Sequence, residues 1–285
     1  MTGPASKKKR PVLRLVLILA LLLAALAADS RWRLVTQEYA VSSENLPAAF
    51  DGFRILQISD LHGDIFGRDN RRLLSAVKDA RPDIIVITGD LIDAPNDLEA
   101  VGALLPRLAE TAPCYYVTGN HEWACGALPE LRALLAEAGV RVLDNDWCVL
   151  ERGGAQILLA GVEDPNGWAD SVQPPEFVAG VRASFPEAYL ILLAHRNDWP
   201  EKYPSLPVDL IFSGHAHGGI VRLPGIGGLM GTDRLLFPHN TEGAIRQGSY
   251  TMLVSRGLGN VPGTFRLLNN PQLLVAVLEK NAGPS

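Results

Sequence analysis

Leu210-Ile211-Phe212-Ser213-Gly214-His215-Ala216-His217-Gly218-Gly219 is an apolar run that ends in a Ser-Gly step and delivers two imidazoles one residue apart. Residues two apart in an extended chain point to the same side, so the spacing predicts both rings facing one target. The flanking glycines let the backbone turn sharply and come close to a ligand. A His-x-His pair alone also occurs as loop histidines on a surface. Its meaning is decided by what the other strand ends carry.

The same design recurs upstream. Arg54–Ser59 runs into Asp60-Leu61-His62, and Asp83–Thr88 into Gly89-Asp90-Leu91-Ile92-Asp93. Cys114–Thr118 runs into Gly119-Asn120-His121-Glu122, and Tyr189–Ala194 into His195. Short apolar runs bounded by turn residues read as buried strands. Each carries a metal-ligand type at its C-terminal end, where open α/β sheets place their sites. Five of the six histidines (His62, His121, His195, His215 and His217) fall at these ends, and His239 is expected on a surface loop. Such convergence points to a metal centre.

With D-x-H, G-D-x-x-D, G-N-H-E, a lone His and G-H-x-H present in that order, the chain resembles the calcineurin-like metallophosphoesterase superfamily, in its membrane-anchored bacterial branch. The match spans roughly Arg54 to Gly219 and is specific as a set. It implies a four-layer α/β/β/α sandwich of two mixed sheets, preceded here by an N-terminal apolar helix. It also implies a dinuclear phosphoesterase. One ion would be held by Asp60, His62, Asp90 and His217, the other by Asp90, Asn120, His195 and His215. Asp90 has the two free oxygens a bridge needs.

Carboxylate, amide and imidazole ligands without thiolate suit Mn, Fe, Co or Zn rather than Ca. Two such divalent transition-metal ions about 3.5–4 Å apart would generate a bridging hydroxide that attacks phosphorus in line with the leaving group. His121 is expected beside the ions as proton donor or phosphoryl contact. Asp93 is expected to orient it, a helix N-cap being the plainer alternative. Glu122 is expected to support the turn. Glu163 and Asp164 read as part of a Pro-Asn-Gly turn, a loop bordering the site being the alternative. The branch often has A-H-x-P-D where this chain has Ala194-His195-Arg196-Asn197-Asp198. His195 is kept, while the loop shape stays open, and Arg196 is either a phosphate contact or solvated.

The chain has 285 residues, enough for one large core, and a net charge of −5. Positive charge is concentrated in Lys7-Lys8-Lys9-Arg10, so the remainder is more acidic still and offers no basic face to a nucleic acid. Leu15–Ala28 is almost purely apolar. That length fits a signal-peptide core, with Ala25-Leu26-Ala27 as a cleavage site. Counted from Val12, with Arg14 reaching towards the headgroups, it meets the lower limit for a membrane span. The family resemblance favours the uncleaved anchor, a single N-terminal span with an extracytoplasmic catalytic domain; secretion after cleavage is the alternative. The expected organisation is a basic tail and anchor or signal segment over 1–28, a linker and edge strand over 29–50, and the catalytic domain over 51–285. Cys114, Cys125 and Cys148 form no ligand motif and read as small buried side chains, with a Cys114–Cys125 bridge conceivable under oxidising conditions.

Along the chain, Trp32–Val41 reads as an edge strand. Helices are predicted over Asp69–Ala80, from an Asn96 cap to a stop or kink at Pro106, and over Pro129–Ala138 with Gly139 closing it. Short strands follow around Val140–Leu143, Val149 and Gln156–Ala160. Strand–helix alternation through Gly139 implies a mainly parallel sheet. Beyond Gly219, Ile220–Leu223, Gly243–Arg246, Tyr250–Val254 and Leu273–Leu278 read as the second sheet. The expected substrate is a phosphate ester or pyrophosphate, lipid-linked if the apolar stretches Ile220–Met230 and Leu235–Phe237 form a lip at the membrane. The resemblance leaves hydrolysis of UDP-2,3-diacylglucosamine as the specific alternative. A non-catalytic metal-binding scaffold of the same fold would have lost ligands, and a nuclease would need a basic groove.

Overall fold

The computed structural model describes residues 9–167, 173–232, 234–260 and 263–281; Lys7 and Lys8 of the basic tail lie outside them. The chain opens with helix α1 (Lys9–Trp32) and strand β1 (Val35–Ser43). Strands and helices then alternate: β2 (Arg54–Ile58), α2 (Arg71–Ala80), β3 (Ile84–Thr88), α3 (Leu98–Ala109), β4 (Cys114–Val117), α4 (Asn120–Cys125), α5 (Leu128–Glu137) and β5 (Arg141–Val142). The second half holds β6 (Asp146–Arg152), β7 (Ala155–Gly161), α6 (Pro174–Ser184), β8 (Leu190–Leu193), α7 (Trp199–Lys202) and β9 (Leu210–Ser213). A small hairpin, β10 (Arg222–Leu223) and β11 (Gly227–Gly228), precedes β12 (Gly243–Gln247), β13 (Tyr250–Val254) and β14 (Gln272–Lys280).

The strands form two six-stranded mixed sheets, β1-β14-β2-β3-β4-β5 and β12-β13-β9-β8-β7-β6. Their inner faces pack through Ile55, Val86 and Ala276 on one side and Ile157, Ile191 and Phe212 on the other. The outer face of the first sheet is covered by α2, α3 and α5 through Leu73, Leu105 and Leu131. Val178 of α6 and Trp199 of α7 cover the second. This is the expected four-layer sandwich. Both sheets are buried on two faces, which is why β3, β8 and β9 are apolar at consecutive positions rather than alternating.

The division of strands between the sheets differs from the sequence reading. The second sheet begins at Asp146, well before Gly219, and β14 returns to the first sheet between β1 and β2. Antiparallel to β2 and parallel to β1, β14 is buried at Gln272–Ala276 and Leu278. A strand apolar on both faces belongs inside a sheet, and the β1–β2 gap is interior. Ile220–Leu223 contributes to the β10–β11 hairpin and to a single parallel bridge between Val221 and Leu267, not to either large sheet.

Helix ends also differ in detail. Asp97, not Asn96, stands at the start of α3 and makes no side-chain cap bond there; its carboxylate turns back to accept from the backbone N–H groups of Asp93 and Ala94. Pro106 lies inside α3, which continues to Ala109. At the end of α5, Gly139 N–H donates to Ala136 and Val140 N–H to Leu135, a Schellman closure with Gly139 at φ +73°. All three cysteines are free.

α1 is exposed from Pro11 to Ala25 and meets the body only at its foot, where Ser30 is buried. Pro11–Trp32 has 22 residues and mean hydropathy 2.6, and its most apolar stretch is unburied. That is sufficient by length and composition to cross a bilayer, about 33 Å at the α-helical rise.

Because Ile191 is fully buried between the sheets, Ile191→Ala is expected to lower unfolding free energy by about 2–5 kcal/mol. Denaturant titration would read this as a lower midpoint with unchanged slope; a shift under 1 kcal/mol would mean that the inter-sheet layer is not close-packed there.

Candidate metal centre

The ligand-type residues come from both sheets. β2, β3 and β4 of the first lead into Asp60, Asp90 and Asn120, while β8 and β9 of the second lead into His195, His215 and His217. Buried Gln57 ties the seam: its Nε2 donates to Thr88 Oγ1 and to the carbonyl of Ser213, each at 2.8 Å. The loops then hold one another by backbone bonds, Asp60 N–H to Gly89, His62 N–H to Asp90 and Gly214 N–H to His195.

Three clusters of donor atoms result: Asp60, His62 and His217; Asp90, His195 and His215; and His62, Asp93 and His121. In the first, His62 Nε2 lies 3.0 Å from His217 Nε2, and His217 Nε2 lies 3.4 Å from Asp60 Oδ1. In the second, His195 Nε2 is 3.2 Å from Asp90 Oδ2, 3.2 Å from His215 Nδ1 and 3.1 Å from Asn120 Oδ1. Asp90 Oδ2 also lies 3.9 Å from His62 Nε2, so one carboxylate faces both clusters.

The His-x-His segment is not extended. His215 and His217 have φ of +65° and +48°, with Ala216 in the right-handed helical region between them. The rings therefore diverge, one to each cluster, where an extended chain would aim both at one point. Asp60, His62 and Asp90 are left-handed too, at φ +52°, +50° and +53°. Non-glycine residues rarely adopt this region, and each costs on the order of 1 kcal/mol or more. Their concentration at these positions marks a backbone shaped by what the side chains must reach.

Hydrogen bonds set the ring tautomers. His62 Nδ1 and His121 Nδ1 both contact Asp93 Oδ1, at 2.6 and 2.7 Å. A carboxylate oxygen accepts, so both Nδ1 atoms carry the proton and His62 Nε2 keeps its lone pair. His195 Nδ1 donates to the Thr88 carbonyl at 2.8 Å, freeing Nε2 likewise. Arg266 Nη2 approaches His217 Nδ1 at 3.3 Å, but its two hydrogens go to the closer carbonyls of Gly259 and Arg256 at 2.6 and 2.8 Å. Asp93 thus serves two histidines, His62 as well as the expected His121.

Charge in this enclosure is shared unequally. Burial and the charge of Asp90 hold Asp60 above the ordinary carboxylate range. Burial opposes ionisation of Asp90 as well, yet His195, His62 and His121 hold it well below that range. Burial likewise opposes charging His195, but Asp90 lifts it to about 10, while burial and the charged His195 push His215 down to about 3. The other pair divides in the same sense. Burial works against His62, which Asp93 and Asp90 nonetheless raise; burial, His62 and Arg266 drive His217 well down. In each facing pair the surroundings therefore favour a proton on one ring and oppose it on the other. A proton engages only one lone pair of such a pair, whereas a divalent cation would engage nitrogen and oxygen donors together. The donor set fits nitrogen- and oxygen-preferring transition metals.

Several surrounding residues were not legible in the sequence. Ser59 Oγ donates to Asp60 Oδ2. Asn269 Nδ2 donates to the carbonyls of His217 and Ile220, at 2.6 and 3.0 Å. Neither Arg266 nor Asn269 stands in a motif. Glu122, expected to support a turn, accepts from the N–H groups of Asp90, Leu91 and Gly119. Burial and the charge of Asp90 push it up to about 7 against those three donors. Arg196 is not simply solvated: it forms a two-pronged pair with buried Asp164, at 2.8 and 3.1 Å, and lines the cavity beside His215. Asp164 also makes the expected turn, accepting from Asn166 N–H.

A sequence model of the calcineurin-like phosphoesterase family matches residues 53–219. The uncharacterized metallophosphoesterase YkuE of Bacillus subtilis is 31% identical over 255 residues, covering 86% of this chain and 85% of that one. The phosphodiesterase YaeI of Escherichia coli is 34% identical, covering 61% of this chain and 64% of its own. A Danio rerio transmembrane protein with a metallophosphoesterase domain is 31% identical over 62% of this chain and 43% of its own.

A Cβ on Gly214 would overlap Ser59 Oγ and Asp60 Oδ2, although Gly214 is not among the residues at positive φ. Gly214→Ala is therefore expected to act by displacing Asp60 rather than by backbone strain, weakening Mn²⁺ binding at least 10–100-fold. Calorimetric titration with Mn²⁺ checks it; wild-type affinity would show that Asp60 tolerates the shift.

Proposed function

The chain belongs to the calcineurin-like phosphoesterase family, and from that premise we propose that it is a membrane-anchored phosphoester hydrolase that works with two divalent transition-metal ions. The observation that carries this reading is the position of Asp90 Oδ2, 3.2 Å from His195 of one donor cluster and 3.9 Å from His62 of the other. Asp60, His62, Asp90 and His217 would hold one ion, and Asp90, Asn120, His195 and His215 the second. When bound, such ions supply a water of lowered pKa and positive charge for the phosphoryl oxygens.

The protein's own groups do the rest. Asp93 fixes the proton on Nδ1 of His62 and presents its Nε2 as a ligand. The same carboxylate holds His121 by Nδ1, leaving His121 Nε2 as the atom available to a substrate. Hydrogen bonding to Asp93 raises the proton affinity of His121, so its protonated form persists to higher pH than that of a free imidazole and can donate to a departing alkoxide. Burial opposes ionisation of Asp93, but its bonds to His121 and His62 keep it ionised, down to about 2. Glu122 gathers three backbone N–H groups around Asp90 and holds the central loop in shape.

The printed name of the Escherichia coli relative favours a phosphodiester over a monoester as first substrate to test. The complete ligand set speaks against a scaffold without activity. α1 is read as an uncleaved span with the basic flank in the cytoplasm and the catalytic domain on the far side.

Chelation is expected to abolish hydrolysis of bis(p-nitrophenyl) phosphate, and added Mn²⁺ to restore it. Asp90→Asn should lower turnover by several orders of magnitude in a protein that still unfolds cooperatively. Full turnover in a metal-stripped sample would rule out the metal-dependent reading.

His121→Ala should retain its metal content but slow esters of poor leaving groups on the order of 10²–10⁴-fold, with much smaller losses for p-nitrophenolate. Asp93→Asn removes the charge that raises His121, so the protonated form is lost at lower pH and the alkaline limb of the pH–rate profile moves down. An unmoved limb, with metals intact, would show that His121 is not the titrating acid.

A further inference from the structure

Outside α1's apolar stretch, the exposed large apolar side chains among the described residues are not scattered. Ile65, Ile226, Leu235, Leu236, Phe237 and Phe265 are each half or more exposed, and Trp32 and Leu268 complete the set. Trp32 ends α1, and Ile65, Phe265 and Leu268 sit on loops that carry or directly brace the metal-ligand residues. Ile65 is three residues beyond His62. Phe265 adjoins Arg266, which contacts His217, and Leu268 adjoins Asn269, which holds the His217 carbonyl. Ile226 and Leu268 share one depression, and Leu235, Leu236 and Phe237 line a cavity of about 610 Å³ together with His215. Isolated exposed apolar side chains are ordinary; a set confined to one end of the fold marks an interaction surface.

The foot of α1 is fastened to that same end. Arg31 makes two bonds to Asp64, two residues past His62, at 2.9 and 2.6 Å. Asn260 N–H donates to the same carboxylate. Asn270 Nδ2 donates to the Asp29 carbonyl at 2.9 Å, and Arg72 Nη2 to that of Trp32 at 2.6 Å. These bonds fix where the apolar helix leaves the body: beside the loops of Asp60–His62 and of Asn269. Trp32, with the Arg31 guanidinium 4.8 Å from its ring centroid, stands at the junction, a pairing suited to a membrane interface. Exposed Arg68, Arg71 and Arg72 flank it and match anionic headgroups.

We infer that the face carrying the metal centre docks on the bilayer that α1 enters, its apolar collar seated among the lipids, and that the 610 Å³ cavity receives the phosphate-bearing head of a membrane lipid. The occupant is a lipid surface because α1 is itself an exposed apolar helix whose foot is bonded to the loops that carry Ile65 and Leu268. The substrate class, a lipid-borne phosphoester, rests on the hydrolase reading above. The docking does not. Leu235–Phe237 form the wall along which acyl chains leave the cavity, and the reactive phosphate lies at the metal end beside His215.

The test uses the full chain in phosphatidylcholine–phosphatidylglycerol vesicles. Nitroxide labels are placed at Ile226→Cys or Phe265→Cys and, as a reference, at Glu151→Cys at the opposite ends of the strands. Docking predicts that the first two labels are accessible to oxygen and shielded from a water-soluble nickel chelate, while the reference is the reverse. Equal access to the chelate at all three overturns the proposal, as does dipolar broadening at 226 or 265, which would put a second copy on this face. The activity arm compares phosphatidyl-p-nitrophenol in the vesicle with soluble bis(p-nitrophenyl) phosphate. The wild-type chain should favour the lipid probe, and the paired change Ile226→Ser with Phe265→Ser should reduce that preference at least ten-fold. An unchanged preference overturns the assignment of a lipid substrate. Shielded labels with no turnover of either probe would support the docking and reject the hydrolase reading instead.

Discussion

A single buried carboxylate, Asp90, is placed where two sheets meet, and the surrounding structure is arranged so that it can stay charged there. Isolated in an apolar interior it would take up a proton. Instead three imidazoles surround it, and its backbone is clamped by a carboxylate, Glu122, which would otherwise repel it. Gly119 has no side chain because a Cβ there would overlap Asp90 Oδ1. His121 N–H donates to that same oxygen at 2.9 Å. The left-handed residues, the glycines and the seam through Gln57 are consequences of bringing anionic and neutral donors together in one dry space, where charge is costly unless matched.

Much of this was readable from residue order. A strand apolar on both faces that ends in Asp, Asn or His can hardly be anything but a central strand with a site at its tip. The Asp60, Asp90, Asn120, His195 and His215–His217 ends all come together. What sequence could not carry depends on partners far apart along the chain. β14 looks like any late strand, and only the gap between β1 and β2 selects its sheet. Arg196 reads as a free cation until Asp164, over 30 residues earlier, is seen to fold beneath it. Arg266 and Asn269 brace His217 from some 50 residues downstream, in a stretch with no motif. The divergence of His215 from His217 was missed for a local reason: alternation holds only while the chain stays extended, and Gly214 and Gly218 release it from that conformation.

The two sheets have different tasks at the site. The first contributes the carboxylates Asp60 and Asp90 with His62 and Asn120, and the second contributes only imidazoles, His195, His215 and His217. Neither sheet alone gathers a full set for either cluster. Any motion that opened the seam would separate the donors, which gives the fully buried inter-sheet layer a direct bearing on metal affinity as well as on stability. On the outer side, α1 and its polar foot join the same loops, so the apolar helix and the centre share a foundation.

The late return of β14 also constrains how the protein is made. As the chain emerges from synthesis, β2 lacks a neighbour on one side until residues 272–280 arrive. The carbonyls of Ser59 and Asp60 likewise wait for the N–H groups of Leu258 and Gly259. The first ligand loop is therefore braced on one side only, by the Gly89–Leu91 loop, until nearly the whole polypeptide has been delivered. If α1 holds the N-terminus in the membrane while the body is translocated behind it, the cage closes only on the far side. The metals it captures would then be set by the ion supply of that compartment, not of the one where the chain was synthesised.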